Sequence, residues 1–196
     1  MYNRKSITIA KYFAVILMIL SLIFAAEQGL CEQKYRLGDI PLHPEAYKKH
    51  MKVWPMEMAE FLPTFYNAQD EGLVTPAKNQ EACGSCWAFA SAGALESHLL
   101  KAYQAGPKDL SEQQQVSCNT QRGGCAGGNS KALLYWDTVT DNGPLDEFFF
   151  PYTANDGTLC VYEPQIGYRV VSYHTVPVTT TSFKQSLYED GPSYWR

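Results

Sequence analysis

The chain has 196 residues and a formal net charge of −4, and 45% of its residues are hydrophobic. This length suits one domain of ordinary size or two small ones that share a core, and the hydrophobic fraction excludes a disordered chain. Lysine and arginine never cluster beyond a pair, so neither a nucleic acid nor an anionic membrane surface is expected as a partner. No metal ion or other cofactor is expected.

The N-terminus has the pattern of a secretory signal peptide. Basic residues precede an apolar run at 13–26 that ends in small residues. A membrane-spanning helix needs about 20 apolar residues, so the run predicts a cleaved signal at 1–26, with an uncleaved signal anchor as the alternative. We therefore expect entry into the secretory pathway and no stable membrane association after cleavage.

Residues 27–61 are polar and irregular, because Pro41, Pro44 and Pro55 interrupt any long helix. This segment is expected to be a short pro-segment or a linker. The folded domain is expected to begin near Leu62, since the motifs described below all follow it.

Three helices are predicted in the next part of the chain. The first covers about 85–103, which is rich in alanine and leucine and contains no proline. The second follows Leu110, where Ser111 and Gln114 form a capping box. The third is expected to begin near Asn129 and to stop at Asn142. In the first helix, the residues that recur at helical spacing are Trp87, Ala90, Ala94 and Leu95.

The pattern changes in the last part of the chain. Residues 168–178 are rich in β-branched and aromatic side chains and are predicted to be extended. Ser182 is expected to cap a short final helix that ends at Gly191. A mostly helical domain at 62–165 is thus expected to precede the beginning of a β-rich domain at 166–196, which predicts the α+β fold class.

Six cysteines are present, and in an oxidising compartment an even number favours disulfides. Their pairing does not follow from the sequence by itself. Cys86 stands out because it lies between a glycine-containing loop and the start of the first predicted helix. The unpaired N–H groups and the dipole at a helix N-terminus favour a thiolate there, which is a nucleophile. The alternative is that Cys86 is one more half-cystine.

The segment from Gln80 to Phe89, with Cys83-Gly84-Ser85-Cys86-Trp87 at its centre, resembles the active-site segment of the papain and cathepsin family of cysteine peptidases. Four further blocks occur in the family's order and at its spacing, and together they extend the resemblance over 62–196. The blocks are Val74–Gln80, Leu110–Gln113 with Cys118, Gly124–Gly128, and Phe150–Thr153 with Cys160.

The resemblance implies a role for several of these residues. Cys86 is the nucleophile, and the Gln80 side-chain amide holds the oxyanion together with the Cys86 backbone N–H. Gly127 and Gly128 allow the close approach of an extended peptide, although a simple tight turn is the alternative. Trp87 also fits a core position beneath the helix. The residues implied to line the substrate are Gly84, Trp87, Gly127 and Gly128.

The resemblance also implies a disulfide pairing that leaves the nucleophile free. The implied bonds are Cys83–Cys125 and Cys118–Cys160, and Cys31 is left over. Two positions depart from the family's pattern. Asn67-Ala68 stands where the family usually has Asp-Trp, and Glu81 replaces a common glycine.

In this family a histidine acts with the cysteine and an asparagine orients the histidine, both about 130–150 residues beyond the nucleophile. The chain ends at Arg196, before that position. None of its four histidines is a suitable substitute. His98, for example, is 12 residues further along the same predicted helix, about 18 Å from Cys86. The others lie in the expected pro-segment or in the final region: His43, His50 and His174. We therefore expect a C-terminally truncated family member with absent or very weak hydrolysis.

The leading interpretation is a papain-like cysteine peptidase that acts on polypeptides in a lysosome, in a vacuole or outside the cell. The first alternative is a non-catalytic pseudo-peptidase that binds peptides or other partners through the glycine-rich loop. The presence of Cys86 and Gln80 argues against it, because binding requires neither. The second alternative, a structural domain stabilised by disulfides, explains the cysteines but not Gln80.

Overall fold

The structure is a computed structural model, and it describes residues 38–40, 42–49, 51–52, 61–104, 108–121, 123–137 and 142–193. All of these residues fall within one compact unit, Tyr35–Arg196. The predicted signal peptide, Cys31 and His50 lie outside the described residues. No helix in the described ranges combines the length and the apolar character needed to cross a membrane.

The described part of the chain contains four α-helices, one 3₁₀ helix and one two-stranded ribbon. The two strands are antiparallel, with Gly123 opposite Gly128 and Gly124 opposite Gly127. In chain order the elements are α1 (Pro44–Lys48), α2 (Cys86–Tyr103), α3 (Glu112–Cys118), β1 (Gly123–Gly124), β2 (Gly127–Gly128), the 3₁₀ helix (Ser130–Trp136) and α4 (Thr180–Glu189).

Helix α2 is the central element, and its inner face separates two core clusters. Near its N-terminus Trp87 and Ala88 pack with Val116 and Ala132, and further along it contributes to a cluster around Trp136. The four residues of α2 that recur at helical spacing differ in their burial. Trp87 and Leu95 are buried, whereas Ala90 and Ala94 are half-exposed and line an open groove on the other side of the helix.

Helix α3 begins as predicted, but only half of the expected capping box forms. The Ser111 hydroxyl accepts a hydrogen bond from the Gln114 backbone N–H at 3.0 Å. The Gln114 side chain does not return to Ser111, because it is fully used in the core. Its oxygen accepts from Trp136 Nε1 and from Leu145 N, each at 2.9 Å, and its nitrogen donates to the Gly143 carbonyl at 2.9 Å.

The third helix is shorter than expected and is a 3₁₀ helix. Asn129 caps it as predicted, accepting a hydrogen bond from Lys131 N at 3.1 Å. It ends at Trp136 rather than continuing toward Asn142, because the Trp136 carbonyl accepts from the backbone N–H of Val170 at 2.7 Å. A contact with a residue so distant in the chain is not visible in local periodicity.

The final region contains extended backbone and one helix. Residues 168–178 form isolated bridge pairings, Val170 with Asp137 and Thr175 with Met51, rather than a continuous ladder. Helix α4 is capped by Thr179, whose hydroxyl accepts from Ser182 N at 3.1 Å, so the predicted cap at Ser182 was three residues too late. The described residues thus combine predominant helix with little strand, and the α+β class is confirmed.

Candidate active site

Cys86 is the first residue of α2 and the free cysteine among the described residues. Its side chain is partly exposed, and its sulfur accepts a hydrogen bond from the Gly38 backbone N–H at 3.2 Å. A thiolate in this position faces the positive end of the helix dipole, as the sequence predicted. The contact with Gly38 was not predicted, because 48 residues separate the two positions in the chain.

Covalent and backbone contacts hold the turn before Cys86. Cys83 is disulfide-bonded to Cys125 in the glycine-rich loop, and the Gly84 N–H donates to the Cys125 carbonyl at 2.9 Å. The second disulfide joins Cys118, at the end of α3, to Cys160. These are the two bonds that the resemblance implies. The first of them fixes the nucleophile turn against the β1–β2 ribbon.

Gln80 lies in the loop that precedes Cys86. Its side-chain Nε2 donates to the Cys83 carbonyl at 3.0 Å, and its own backbone carbonyl accepts from the Tyr152 hydroxyl at 2.9 Å. Gln80 and Cys86 line the same groove of about 540 Å³, which also runs along Ala90. The structure therefore brings together the two residues predicted to act on the reacting carbonyl.

The strand formed by Gly127 and Gly128 is paired with a segment from near the N-terminus. Gly128 N donates to the Gly38 carbonyl at 2.6 Å, and Ile40 N donates to the Gly128 carbonyl at 2.5 Å, in a parallel arrangement. A Cβ on Gly127 would lie 2.7 Å from the Gly38 oxygen. An extended chain therefore lies along the backbone of both glycines, and this chain is residues 38–40 of the same protein.

The assignment of Trp87 to the substrate is corrected by its burial. The side chain is fully buried, and its Nε1 donates to the Gly124 carbonyl at 3.2 Å. A Cβ on Gly128 would collide with the Trp87 ring. Trp87 therefore supports the glycine strand from below, which is the core role that the sequence offered as the alternative. Gly84 is buried on the other side of the turn, close to Gly38.

A buried ion cluster holds the loop that leads to Gln80. The Lys78 ammonium lies 2.6 Å from a carboxylate oxygen of Asp109, 2.7 Å from one of Glu112 and 3.3 Å from one of Glu96. Burial raises the pKa of Glu112 to about 7, although Lys78 opposes the shift. The sequence does not indicate this cluster, because its members come from three separate segments of the chain.

The three described histidines lie in other surroundings. His98 is exposed on α2, three turns of helix beyond Cys86. His43 accepts a hydrogen bond from the backbone N–H of Glu45, and His174 Nε2 lies 3.1 Å from a carboxylate oxygen of Asp190. The described residues also contain no group of three or more His, Cys, Asp or Glu side chains arranged to hold a metal ion.

Comparison with known proteins identifies similar sequences. The profile of the family described as papain family cysteine protease matches residues 62–195. Cysteine proteinase A of Leishmania mexicana is 31% identical over 159 residues, which cover 77% of this chain and 45% of that protein. Human cathepsin L2 is 43% identical over 109 residues, which cover 53% of this chain and 31% of that protein. The chain thus spans less than half the length of these curated relatives.

Solved structures show the same similarity in three dimensions. Digestive procathepsin L2 from the larval midgut of Tenebrio molitor superposes with a TM-score of 0.57 at 29% identity, covering 89% of this chain and 62% of that one. A recombinant stem bromelain precursor superposes with a TM-score of 0.63 at 20% identity, covering 95% of this chain and 64% of that one.

Proposed function

Because the chain belongs to the papain family of cysteine proteases and has a papain-like α+β fold, we propose that Cys86 is the nucleophile of a peptidase that acts on polypeptides. The observation that carries the proposal is the position of Gln80 and Cys86 on one groove, with Gly38 hydrogen-bonded to both Cys86 and Gly128. In the proposed step the Cys86 thiolate adds to the peptide carbonyl carbon. The carbonyl oxygen becomes an oxyanion held by the Gln80 amide and the Cys86 N–H.

We further propose that a polypeptide of these 196 residues has little or no hydrolytic activity by itself. The thiolate must form, and the leaving amine must receive a proton, which a histidine supplies in this chemistry. Of the described histidines, His43 accepts from the Glu45 N–H, His98 is exposed on the far part of α2, and His174 pairs with Asp190. Because none of these three is hydrogen-bonded to Cys86, acylation by a peptide bond is expected to stall.

The test of the nucleophile compares the rates at which two epoxides label Cys86. One epoxide is attached to a short peptide, and the other has no peptide. Each reacts when the Cys86 thiolate opens the ring to a thioether. We expect the peptidyl epoxide to label Cys86 roughly tenfold faster, because its extended backbone binds the Gly127–Gly128 edge. Because residues 38–40 occupy this edge, both rates are measured in Gly38→Ala, whose added methyl group would collide with the Gly84 carbonyl and displace the segment. The ratio of the two rates is the readout.

Peptide mapping locates the label, and Cys86→Ala is the control that should abolish it. The same preparation should release no product from a fluorogenic peptide amide above the level of Cys86→Ala. Equal rates for the two epoxides would contradict the peptidase site. Rapid turnover of the peptide amide would instead contradict the proposed lack of activity.

We propose that residues 27–61 are a pro-segment that covers the nucleophile. Gly38 reaches Cys86 and Gly128 at once, and both similar structures named above are of precursors. The segment runs parallel to β2. A Cβ on Gly38 would collide with the Gly84 carbonyl, so the segment fits the site only with glycine at this position.

We also propose that the protein enters the secretory pathway and acts in a lysosome, in a vacuole or outside the cell. Two disulfides in the described residues support this proposal, because such bonds form and persist in oxidising compartments. N-terminal sequencing after translation with microsomes should find a new terminus near Ala25 or Ala26. An unprocessed N-terminus would contradict cleavage.

A further inference from the structure

The Tyr152 hydroxyl lies between the two parts of the site. Its oxygen is 2.9 Å from the Gln80 carbonyl oxygen and 2.5 Å from the Ser85 hydroxyl oxygen. The carbonyl can only accept, so Tyr152 donates its single proton to Gln80. The Ser85 hydroxyl then donates to Tyr152 at 2.5 Å, a shorter contact than its 3.4 Å distance to the Cys83 carbonyl. One hydroxyl group therefore joins the loop that carries Gln80 to the residue immediately before Cys86.

Contacts that do not involve the hydroxyl hold Tyr152 itself in place. Its ring packs edge-on against Phe89 of α2, with the ring centroids 4.8 Å apart. Its backbone N–H donates to Glu147 at 2.6 Å, and the N–H of Thr153 donates to the Gln113 side chain at 2.8 Å. Because these anchors do not depend on Gln80 or Ser85, the hydroxyl is presented from a position that the rest of the core determines.

Ser85 directs its hydroxyl toward Tyr152 and not toward the first turn of α2. Ser85 is the N-cap residue of α2, a position where serine commonly accepts a hydrogen bond from the first turn of the helix. Its side chain makes no such capping bond. The Ser85 backbone carbonyl instead accepts from the N–H groups of Ala88 and Phe89 at 2.8 and 3.2 Å, so the first turn of α2 is held by the Ser85 backbone.

We propose that Tyr152 is a positioning residue, which fixes the distance between the two oxyanion donors by hydrogen-bonding to Gln80 and to Ser85. This inference rests on the proposed function of Cys86 and Gln80. Burial raises the pKa of Tyr152, so the hydroxyl keeps its proton and remains a donor at neutral and acidic pH. Without it, the Gln80 carbonyl and the Ser85 hydroxyl each lose a partner and the two donors are no longer linked.

The test separates reactions that form an oxyanion from those that do not. A peptidyl aldehyde adds the Cys86 sulfur at its carbonyl carbon, and the oxygen takes up the negative charge of the reversible hemithioacetal. Iodoacetamide loses iodide at a saturated carbon and needs no oxyanion donor. Both reagents are applied to the full 196-residue chain and to the variant Tyr152→Phe. Tyr103→Phe removes a hydroxyl from an exposed ring elsewhere and is the matched control.

We expect Tyr152→Phe to weaken aldehyde binding roughly tenfold, a fraction of the effect of deleting an oxyanion donor, with the iodoacetamide rate unchanged within about twofold. Tyr103→Phe should change neither. Adding Tyr152→Phe to Gln80→Ala should cause no further loss, since the hydroxyl acts through Gln80. Equal losses with both reagents would overturn the proposal in favour of general damage to the fold. A fully additive double variant would overturn it as well.

A second readout keeps this inference distinct from the proposed function. If the unaltered chain binds no aldehyde, the peptidase site is contradicted, and the role of Tyr152 is decided by NMR. The Gln80 side-chain amide donates to the Cys83 carbonyl, so its two proton resonances report its position. These resonances should shift in Tyr152→Phe and stay in place in Tyr103→Phe. Unchanged resonances in Tyr152→Phe would overturn the positioning role.

Discussion

Glu81 adopts a left-handed backbone conformation, with φ of 53°, directly after Gln80. Its own N–H donates to the Asn79 side chain at 2.9 Å, which closes a tight turn before the nucleophile. A non-glycine residue costs roughly 1–2 kcal/mol in this conformation. The glycine expected here from the family resemblance thus has a backbone reason, and this chain tolerates the strain in the loop that contains Gln80.

We predict that Glu81→Gly stabilises the protein by about 0.5–1 kcal/mol. Relief of the left-handed strain exceeds the extra chain entropy that glycine loses on folding. Urea unfolding measures the change. Glu71→Gly is the matched control at an exposed turn residue without positive φ, and it should lower the free energy of unfolding. A loss of stability in Glu81→Gly would show that the Glu81 side chain contributes more than its backbone costs.

At this scale, motifs with a local cause could be predicted from the sequence. Cys86 lies at a helix N-terminus because the glycine-containing turn and the proline-free stretch behind it are adjacent in the chain. The sequence indicates Tyr152 only as one residue of the block Phe150–Thr153 and predicts no role for it. Its role depends on contacts with Gln80 and Ser85, about 70 residues away, and no local pattern indicates them.

The N-terminus of α3 is buried against a charged cluster rather than against apolar side chains. Glu112 and Glu96 are each about 1% exposed, and they flank the Lys78 ammonium with Asp109 on its outer side. The cluster joins α2, α3 and the loop before Gln80. Removal of one partner would leave a buried charge uncompensated, so the cluster ties the position of that loop to the protonation of its carboxylates.

We predict that Glu112 makes the protein more stable in acid than in base. Its pKa is raised to about 7 in the folded state from 4.5, so the folded state binds the extra proton. This contribution is fully present below pH 4.5 and is lost as the pH rises through 7. Relative to Glu112→Gln, the unfolding free energy should fall by as much as about 3 kcal/mol between pH 5 and pH 8.

Urea unfolding at the two pH values measures this difference. The pKa of Glu147 is also raised by burial, and Glu147 interacts electrostatically with Glu112, so the difference between the two proteins reports Glu112 together with its coupling to Glu147. Glu45→Gln removes an exposed carboxylate on α1 and should leave the pH dependence unchanged. Parallel pH profiles for the unaltered chain and Glu112→Gln would contradict the assignment.

Helix positions were easier to predict than helix lengths. Helix α2 was predicted to within a residue, because its proline-free, alanine- and leucine-rich sequence favours helix along its whole length. The 3₁₀ helix ends earlier than predicted because the Val170 N–H donates to the carbonyl of Trp136. The capping box is incomplete because the Gln114 side chain hydrogen-bonds to groups in the core, such as Trp136 Nε1. Both deviations come from residues distant in sequence, which periodicity does not report.

At the scale of the whole molecule, the segment before the folded domain returns to it at two places. Residues 38–40 lie along β2 and reach Cys86. Further on, Lys52 N donates to the Thr175 carbonyl at 2.9 Å, and the Lys52 ammonium lies 3.0 Å from Asp190. The first contact covers the nucleophile and the second joins the segment to the residues around α4. The sequence predicted a pro-segment here but none of these contacts, since every one depends on the folded chain.

If Cys86 is a nucleophile that Gly38 covers, the rate of Cys86 alkylation in Gly38→Ala is the most direct measurement of it. The added methyl group would collide with the Gly84 carbonyl and displace the segment, breaking two backbone hydrogen bonds. Iodoacetamide should then label Cys86 at least about tenfold faster than in the unaltered chain. The control is Gly93→Ala, which places a methyl group in open space on α2, the helix that begins at Cys86. It should not change the rate. An unchanged or slower rate in Gly38→Ala would contradict the account.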